Sequence, residues 1–166
     1  MPQPKPLPPV ELLRELFDYN PETGEVRYKK PRKRVRVGEV VRRQHPAGYL
    51  WISIDRQNYL LHRVIWKMMT GEDPLTDVDH KDRNRKNNVW SNLRLATALQ
   101  NKVNSARKGK LPRGVHQRKG RTNFYAQIRV DGKPLHLGTF ATAEEAHQAY
   151  RKASLELHGK FSIYAP

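Results

Sequence analysis

Between Ser105 and Arg113 the chain reads SARKGKLPR. Small residues, glycine, proline and four cations in nine positions give this stretch nothing to bury. It reads as a linker, over residues 105–112. Whatever lies on either side must therefore close its own core. Hydrophobic residues make up 37% of the 166 positions, too few for one large core and enough for two or three small ones. The expected organisation is a proline-rich, disordered lead-in over 1–9, a first domain over 10–104, the linker, and a second domain over 113–166.

Charge narrows the partner. Lys and Arg total 32 against 16 Asp and Glu, a net charge of +16 at pH 7. Such a charge repels itself unless a polyanion neutralises it, and phosphate neutralisation with counterion release points to nucleic acid. From Lys102 to Arg121 there are eight basic residues and no acid. An extended linker of that kind could follow a DNA groove, or serve only as a spacer. The absence of cysteine excludes disulfides, thiolate zinc sites and thiol catalysis. The proline-rich start does not resemble a signal peptide, and no apolar stretch reaches membrane-spanning length. A soluble cytoplasmic protein is expected.

In the first part, Val10 to Phe17 has helical apolar spacing, and Glu25–Tyr28 alternates as a strand would. Arg27 to Arg43 holds nine Lys or Arg residues and one acid, interleaved with Val35, Val37, Val40 and Val41. This predicts β-structure with a basic face, and Arg32, Arg34 and Arg36 are candidate DNA contacts. Residues 49–55 and 59–61 flank Arg56-Gln57-Asn58 as a hairpin. His62 opens a helix with Val64, Ile65, Met68 and Met69 in a stripe and Gly71 as its stop. His62 itself could touch a phosphate or be structural, and the structural reading is preferred.

The stretch from Asp77 to Asn101, DVDHKDRNRKNNVWSNLRLATALQN, carries the chemistry. Asp79 and His80 are adjacent; Asn92 lies 12 residues beyond His80 and Asn101 lies 21 beyond it. The order predicted is strand, loop, strand, helix, with Asp79, His80 and Asn101 turned into one cleft. Phosphodiester hydrolysis needs a deprotonated water, compensation of charge on the phosphorane, and a stabilised leaving oxygen. Neutral imidazole suits the first need, so His80 is the candidate base. Asp79 and Asn101 offer hard oxygens suited to Mg²⁺, with Mn²⁺ as the alternative. Asn92 is expected to brace the loop that carries His80. Asn84, Asn87 and Asn88 read as loop structure.

The last part is of another kind. Gly114–His116, Asn123–Val130 and Lys133–Phe140 read as three strands, with Asp131-Gly132 as a tight turn. Thr142 and Glu145 form a capping box for a helix over about 143–157, with Ala146, Ala149, Tyr150, Ala153 and Leu157 on one face. The helix covers one sheet face and leaves the other open to DNA.

Residues 60–101, with "HRVIW", "DHKD", "NNVWSNLRLAT" and the closing "QN", resemble the homing-type HNH endonucleases with a ββα-metal fold. The resemblance implies Asp79 and Asn101 as metal ligands, His80 as general base and Asn92 as the central Asn of the motif. Residues 113–161, with "RGVHQR", "YAQIRVDGK", "HLGTF" and "TAEEAHQAYRKASLELHG", resemble the AP2 DNA-binding domain. That resemblance implies Arg113, His116, Arg118, Arg121, Gln127, Arg129 and His136 as the DNA-facing set. His116 stands where the plant members have Arg, Arg121 and His136 where they have Trp, and Pro134 where Arg is frequent, so their target sequence does not transfer. The expectation is an α+β protein of two modules: a metal-dependent, phage-like DNA endonuclease acting on double-stranded DNA as monomer or homodimer. A non-catalytic DNA-binding regulator is the alternative. RNA binding is disfavoured, since no stacked aromatic platform is evident.

Overall fold

The computed structural model describes residues 5–104 and 110–165. Most of the linker expected at 105–112 lies outside the described residues. The chain forms two compact units, divided between Ala98 and Leu99. Both are mixed α/β, built on small antiparallel sheets.

The first unit opens with helix α1 (Val10–Leu16), followed by strand β1 (Phe17–Tyr19), which pairs with β2 (Val26–Tyr28). A second hairpin joins β3 (Trp51–Ile54) to β4 (Gln57–Leu60). Its turn residues are Asp55 and Arg56, both with positive φ (47° and 64°), the geometry that suits the twist of a two-residue hairpin. The turn thus falls one residue earlier than the sequence suggests. Helix α2 (Leu61–Thr70) follows without a break and ends at Gly71, whose φ of 87° is the left-handed cap expected there. Strands β5 (Asp77–His80) and β6 (Leu93–Ala96) form the third hairpin, and helix α3 (Ala98–Asn104) comes next in the chain.

The core of this unit is small. Leu13, Phe17, Val26, Ile52, Leu61, Val64 and Ile65 are essentially inaccessible. Arg14 fastens α1 to the end of α2 by donating to the Met68 carbonyl at 2.6 and 3.1 Å. Leu7, in the proline-rich lead-in, is also buried. Its N–H donates to Asp73 Oδ2 at 3.0 Å, and its carbonyl accepts from Lys67 Nζ at 3.2 Å. That part of the lead-in is held to the unit, contrary to the expectation of disorder.

Residues 29–50 correct another expectation. The basic stretch forms no regular strand; it is a chain of turns with isolated bridges Arg27↔Val40, Arg32↔Val35 and Gln44↔Leu50. Of its valines only Val41 is buried, and Val37 is 61% exposed. Alternation failed here because Pro31 and Gly38 interrupt the run. Arg32, Arg34 and Arg36 are exposed on this loop, and Arg32 Nη1 donates to the Ser53 carbonyl at 2.5 Å.

In the second unit β7 (Val115–Gln117), β8 (Phe124–Val130) and β9 (Lys133–Phe140) form one antiparallel sheet in that order. Asp131 and Gly132 close its tight turn with φ of 49° and 79°. Helix α4 (Ala143–His158) starts with the reciprocal Thr142–Glu145 capping box. It covers Val115, Ala126 and Ile128 with Ala146, Tyr150 and Ala153. Leu157 points away and is 46% exposed; Ser154 is buried in its place, bonded to Ser162 Oγ at 2.8 Å.

Candidate active site

Strand β5 places the site. Successive side chains on a strand leave opposite faces, and burial follows: Val78 and His80 turn inward, while Asp79 is half-buried. His80 is 3% exposed. Its Nε2 lies 3.0 Å from Asn88 Oδ1, and Asn88 Nδ2 donates to the Lys86 carbonyl at 3.4 Å. The ring of His62 meets it edge-on at 5.1 Å, and Tyr49 packs beside both at 5.0 and 6.0 Å. Arg85 covers the outer face of Tyr49 at 4.7 Å.

Burial is the main influence on His80 and holds its pKa below the usual imidazole value. The bond to Asn88 and the carboxylates of Asp82 and Asp79 act the other way, and Arg85 adds to the lowering. The outcome is a neutral imidazole at pH 7, the form a general base needs.

Asp79 and Arg94 face each other across β5 and β6. Arg94 Nε and Nη2 both reach Asp79 Oδ2 at 2.9 Å, with both side chains 11% exposed. A single cleft holding Asp79, His80 and Asn101 therefore does not follow from β5 alone: the strand sends its acid to Arg94 and its imidazole to Asn88. Asn101 sits on α3, half-buried, in the second unit. Among the described residues no three His, Asp or Glu side chains cluster closely enough to hold a metal ion.

The loop from Lys81 to Ser91 is tied by Asn92. Its Oδ1 accepts from the Asp82 N–H at 3.0 Å, and its Nδ2 donates to Asp82 Oδ1 at 2.9 Å and to the Asn87 carbonyl at 2.8 Å. Asp82 accepts further bonds from the Asn84 N–H and from Asn87 Nδ2. Burial pushes the Asp82 carboxyl up, but these donors outweigh it and hold the pKa below its ordinary value. Asn92 thus closes the loop in the way a bracing residue would. Asp82, Tyr49 and Arg94 are not among the residues the sequence points to, and Asn88, expected to be loop structure, bonds to His80. The available signal for Arg94 is its register opposite Asp79, which can be read only once the hairpin is paired.

His62 is buried, and its Nδ1 finds no hydrogen-bond partner among the described residues. The preferred structural reading fits this position. Burial, then the neighbouring His80 and Arg63, push its pKa down to about 3. The unfolded chain takes up this proton near pH 6.5 and the folded chain only near 3. The stabilisation is complete above pH 6.5 and shrinks as pH falls from 6.5 toward 3, by about 1.4 kcal/mol per unit. Thermal melts between pH 7.5 and 5 should show a falling Tm in the native chain and a flatter profile in His62→Phe. Parallel profiles would show that His62 is not the source of the pH dependence.

On the second unit, β8 turns Ala126 and Ile128 toward α4 and leaves Tyr125, Gln127 and Arg129 on the open face. His116 and Thr139 lie opposite Tyr125, and His136 lies opposite Gln127 across an irregularity in the β8–β9 register. His116 stacks on Tyr125 at 5.1 Å and 21°, His136 meets it at 5.9 Å, and Arg118 lies 5.8 Å above it. A row of aromatic rings therefore exists where the sequence suggests none, with Tyr125 at its centre. Arg121 is exposed beside the row, and its carbonyl accepts from Gln117 Nε2. Arg113 is half-buried; its Nη2 donates to the Lys102 carbonyl, and its own carbonyl lies 3.1 Å from His147 Nδ1.

A family model described as HNH endonuclease matches residues 59–103. This segment is similar to HNH endonuclease domains. The match begins in the second half of β4, runs through α2, β5 and β6 to all but the last residue of α3, and includes Asp79, His80, Asn92 and Asn101. An uncharacterized HNH endonuclease of Acanthamoeba polyphaga mimivirus is 34% identical over 118 residues, 70% of this chain. The match covers 62% of that protein, so the chain spans less than two thirds of its relative's length. No helix among the described residues is long and apolar enough to cross a membrane.

Proposed function

We propose that the protein is a site-directed DNA endonuclease of the homing type, in which the HNH unit hydrolyses a phosphodiester and the second unit supplies affinity and register on double-stranded DNA. The observation that carries this reading is the state of His80: an imidazole inside the HNH segment, kept neutral by burial and held by an asparagine. His80 would take the proton of the attacking water. Arg85 and the cations of residues 81–86 lie on the same loop and would draw the phosphate backbone toward it. Asn92 keeps the loop closed.

Asp79 and Asn101 would hold a divalent metal in a ββα-metal arrangement. A carboxylate and an amide oxygen form a donor set that fits a hard ion such as Mg²⁺ or Mn²⁺. When bound, such an ion supplies charge compensation at the scissile phosphate and the leaving oxygen. The second unit supports an AP2-like reading of DNA: one sheet face is sealed by α4, and the other carries His116, Gln127, Arg129 and His136. Arg113, Arg118 and Arg121, and Arg32, Arg34 and Arg36 on the first unit, would contact phosphate or bases. The viral relative is consistent with a phage or viral origin, and the protein would act in the cytoplasm of the host cell.

The regulator reading keeps one observation in its favour, the occupation of Asp79 by Arg94. Supercoiled plasmid separates the two. A nuclease converts it to nicked or linear form with Mg²⁺ or Mn²⁺ and stops when EDTA is added. Intact plasmid, phage DNA and host DNA after incubation with either metal would leave the protein a DNA binder.

A further inference from the structure

We propose that Asn88 is the positioning residue of His80, and that the N-terminal β1–β2 hairpin, outside the matched HNH segment, holds Asn88 in place. This rests on the nuclease reading for its functional meaning, and on hydrogen-bond geometry for its substance.

The amide of Asn88 is oriented by its own partners. Its Nδ2 donates to the Lys86 carbonyl, so its Oδ1 is the atom turned to His80 Nε2, at 3.0 Å. An amide oxygen only accepts, so Nε2 must carry the hydrogen. A neutral imidazole has one N–H, and the basic lone pair is then at Nδ1. Asn88 thus selects the tautomer as well as the ring angle.

Asn88 is 1% exposed, and its surroundings come from the other end of the unit. Tyr19 Oη, on β1, donates to the Asn88 carbonyl at 2.8 Å. The N–H of Trp90 donates to the Pro21 carbonyl at 3.0 Å. Gly24, with φ of 74°, lies so close that an added Cβ would stand 2.6 Å from the Asn88 carbonyl carbon and 2.5 Å from the Val89 nitrogen. Three positions of one hairpin therefore grip the backbone of residues 88–90. Sequence gave no sign of this, because an asparagine in an Asn-rich loop looks like turn chemistry.

The test reads the tautomer directly. In the ¹⁵N-histidine-labelled, metal-free full chain at pH 8, long-range ¹H–¹⁵N correlation should show His80 protonated at Nε2, the signal being assigned by its loss in His80→Ala. Asn88→Asp keeps an acceptor and should keep this pattern. Asn88→Leu removes the acceptor and should shift His80 toward the Nδ1–H form. In the plasmid assay Asn88→Leu should lower kcat by roughly 10- to 100-fold, in the range of lost orienting partners, with the Kd for DNA unchanged within about twofold. Tyr19→Phe, a milder change, should lower kcat severalfold with the melting profile intact, and decides the matter if Asn88→Leu does not fold. An Nδ1–H spectrum in the native chain overturns the proposal. So does an unchanged tautomer and kcat in Asn88→Leu, or in Tyr19→Phe an unchanged kcat. A native chain with the Nε2–H pattern that cuts no DNA would instead remove the nuclease reading and leave the Asn88 geometry standing.

Discussion

His80→Ala should reduce metal-dependent plasmid cleavage by on the order of 10²- to 10⁴-fold, the range in which a positioned general base contributes, while DNA affinity changes little. The asymmetry follows from where the ring sits. His80 is buried between Asn88, His62 and Tyr49, so it adds almost nothing to the exposed cationic surface that binds backbone phosphate. Binding and chemistry should therefore separate: gel-shift affinity retained, single-turnover rate lost. Equal single-turnover rates in the native and variant chains would remove His80 as the base. A cavity is left by the substitution, and a melt recorded beside the assay keeps a stability loss from being read as a catalytic one.

Gly24→Ala should be the most damaging single methyl in the first unit. The backbone there has φ of 74°, where a Cβ is strained by itself. The new carbon would also overlap backbone atoms of Asn88 and Val89, which cannot swing aside as a side-chain end can. Together these amount to roughly 2–4 kcal/mol. The chain can absorb the overlap only by lifting the hairpin from the loop, so the Tyr19–Asn88 and Trp90–Pro21 bonds should go with it. Hydrogen exchange should show Trp90 losing protection first, and cleavage should fall with it. Gly38→Ala is the internal comparison: it too has positive φ, at 81°, but nothing lies within 4 Å of the added carbon. If both variants lose the same stability, the close approach at Gly24 carries no weight.

Strong local signals were legible in the sequence. The Gly71 stop of α2, the Asp131-Gly132 turn and the Thr142–Glu145 capping box are properties of a few neighbouring residues, and the structure has each; of the α2 stripe, Val64, Ile65 and Met68 are buried but Met69 is 39% exposed. Local pattern failed where the outcome depends on something distant. Val35 and Val37 alternate with cations as strand residues would, but no partner strand waits for them. Leu157 falls on the helical stripe, yet it is 46% exposed while Ser154 is buried. At the site the division is the same. Asp79, His80 and Asn92 announce themselves by type and spacing. Asn88 and Arg94 become visible only through contacts across a loop and across a hairpin. Tyr125 stands out only once the sheet is formed, when the strand face that carries it meets His116 and His136.

The pinning of Leu7 has a consequence for how such chains can be exchanged. Its backbone is bonded to Asp73 and Lys67, at the far end of α2, while β1 and β2 clasp the loop of His80. A recombination junction at the start of the matched segment, near residue 59, would carry Asp79, His80 and Asn92 into a new host protein without the parts that seat them. The smallest heritable cassette of the first unit therefore begins near Leu7, about fifty residues before the recognisable motif.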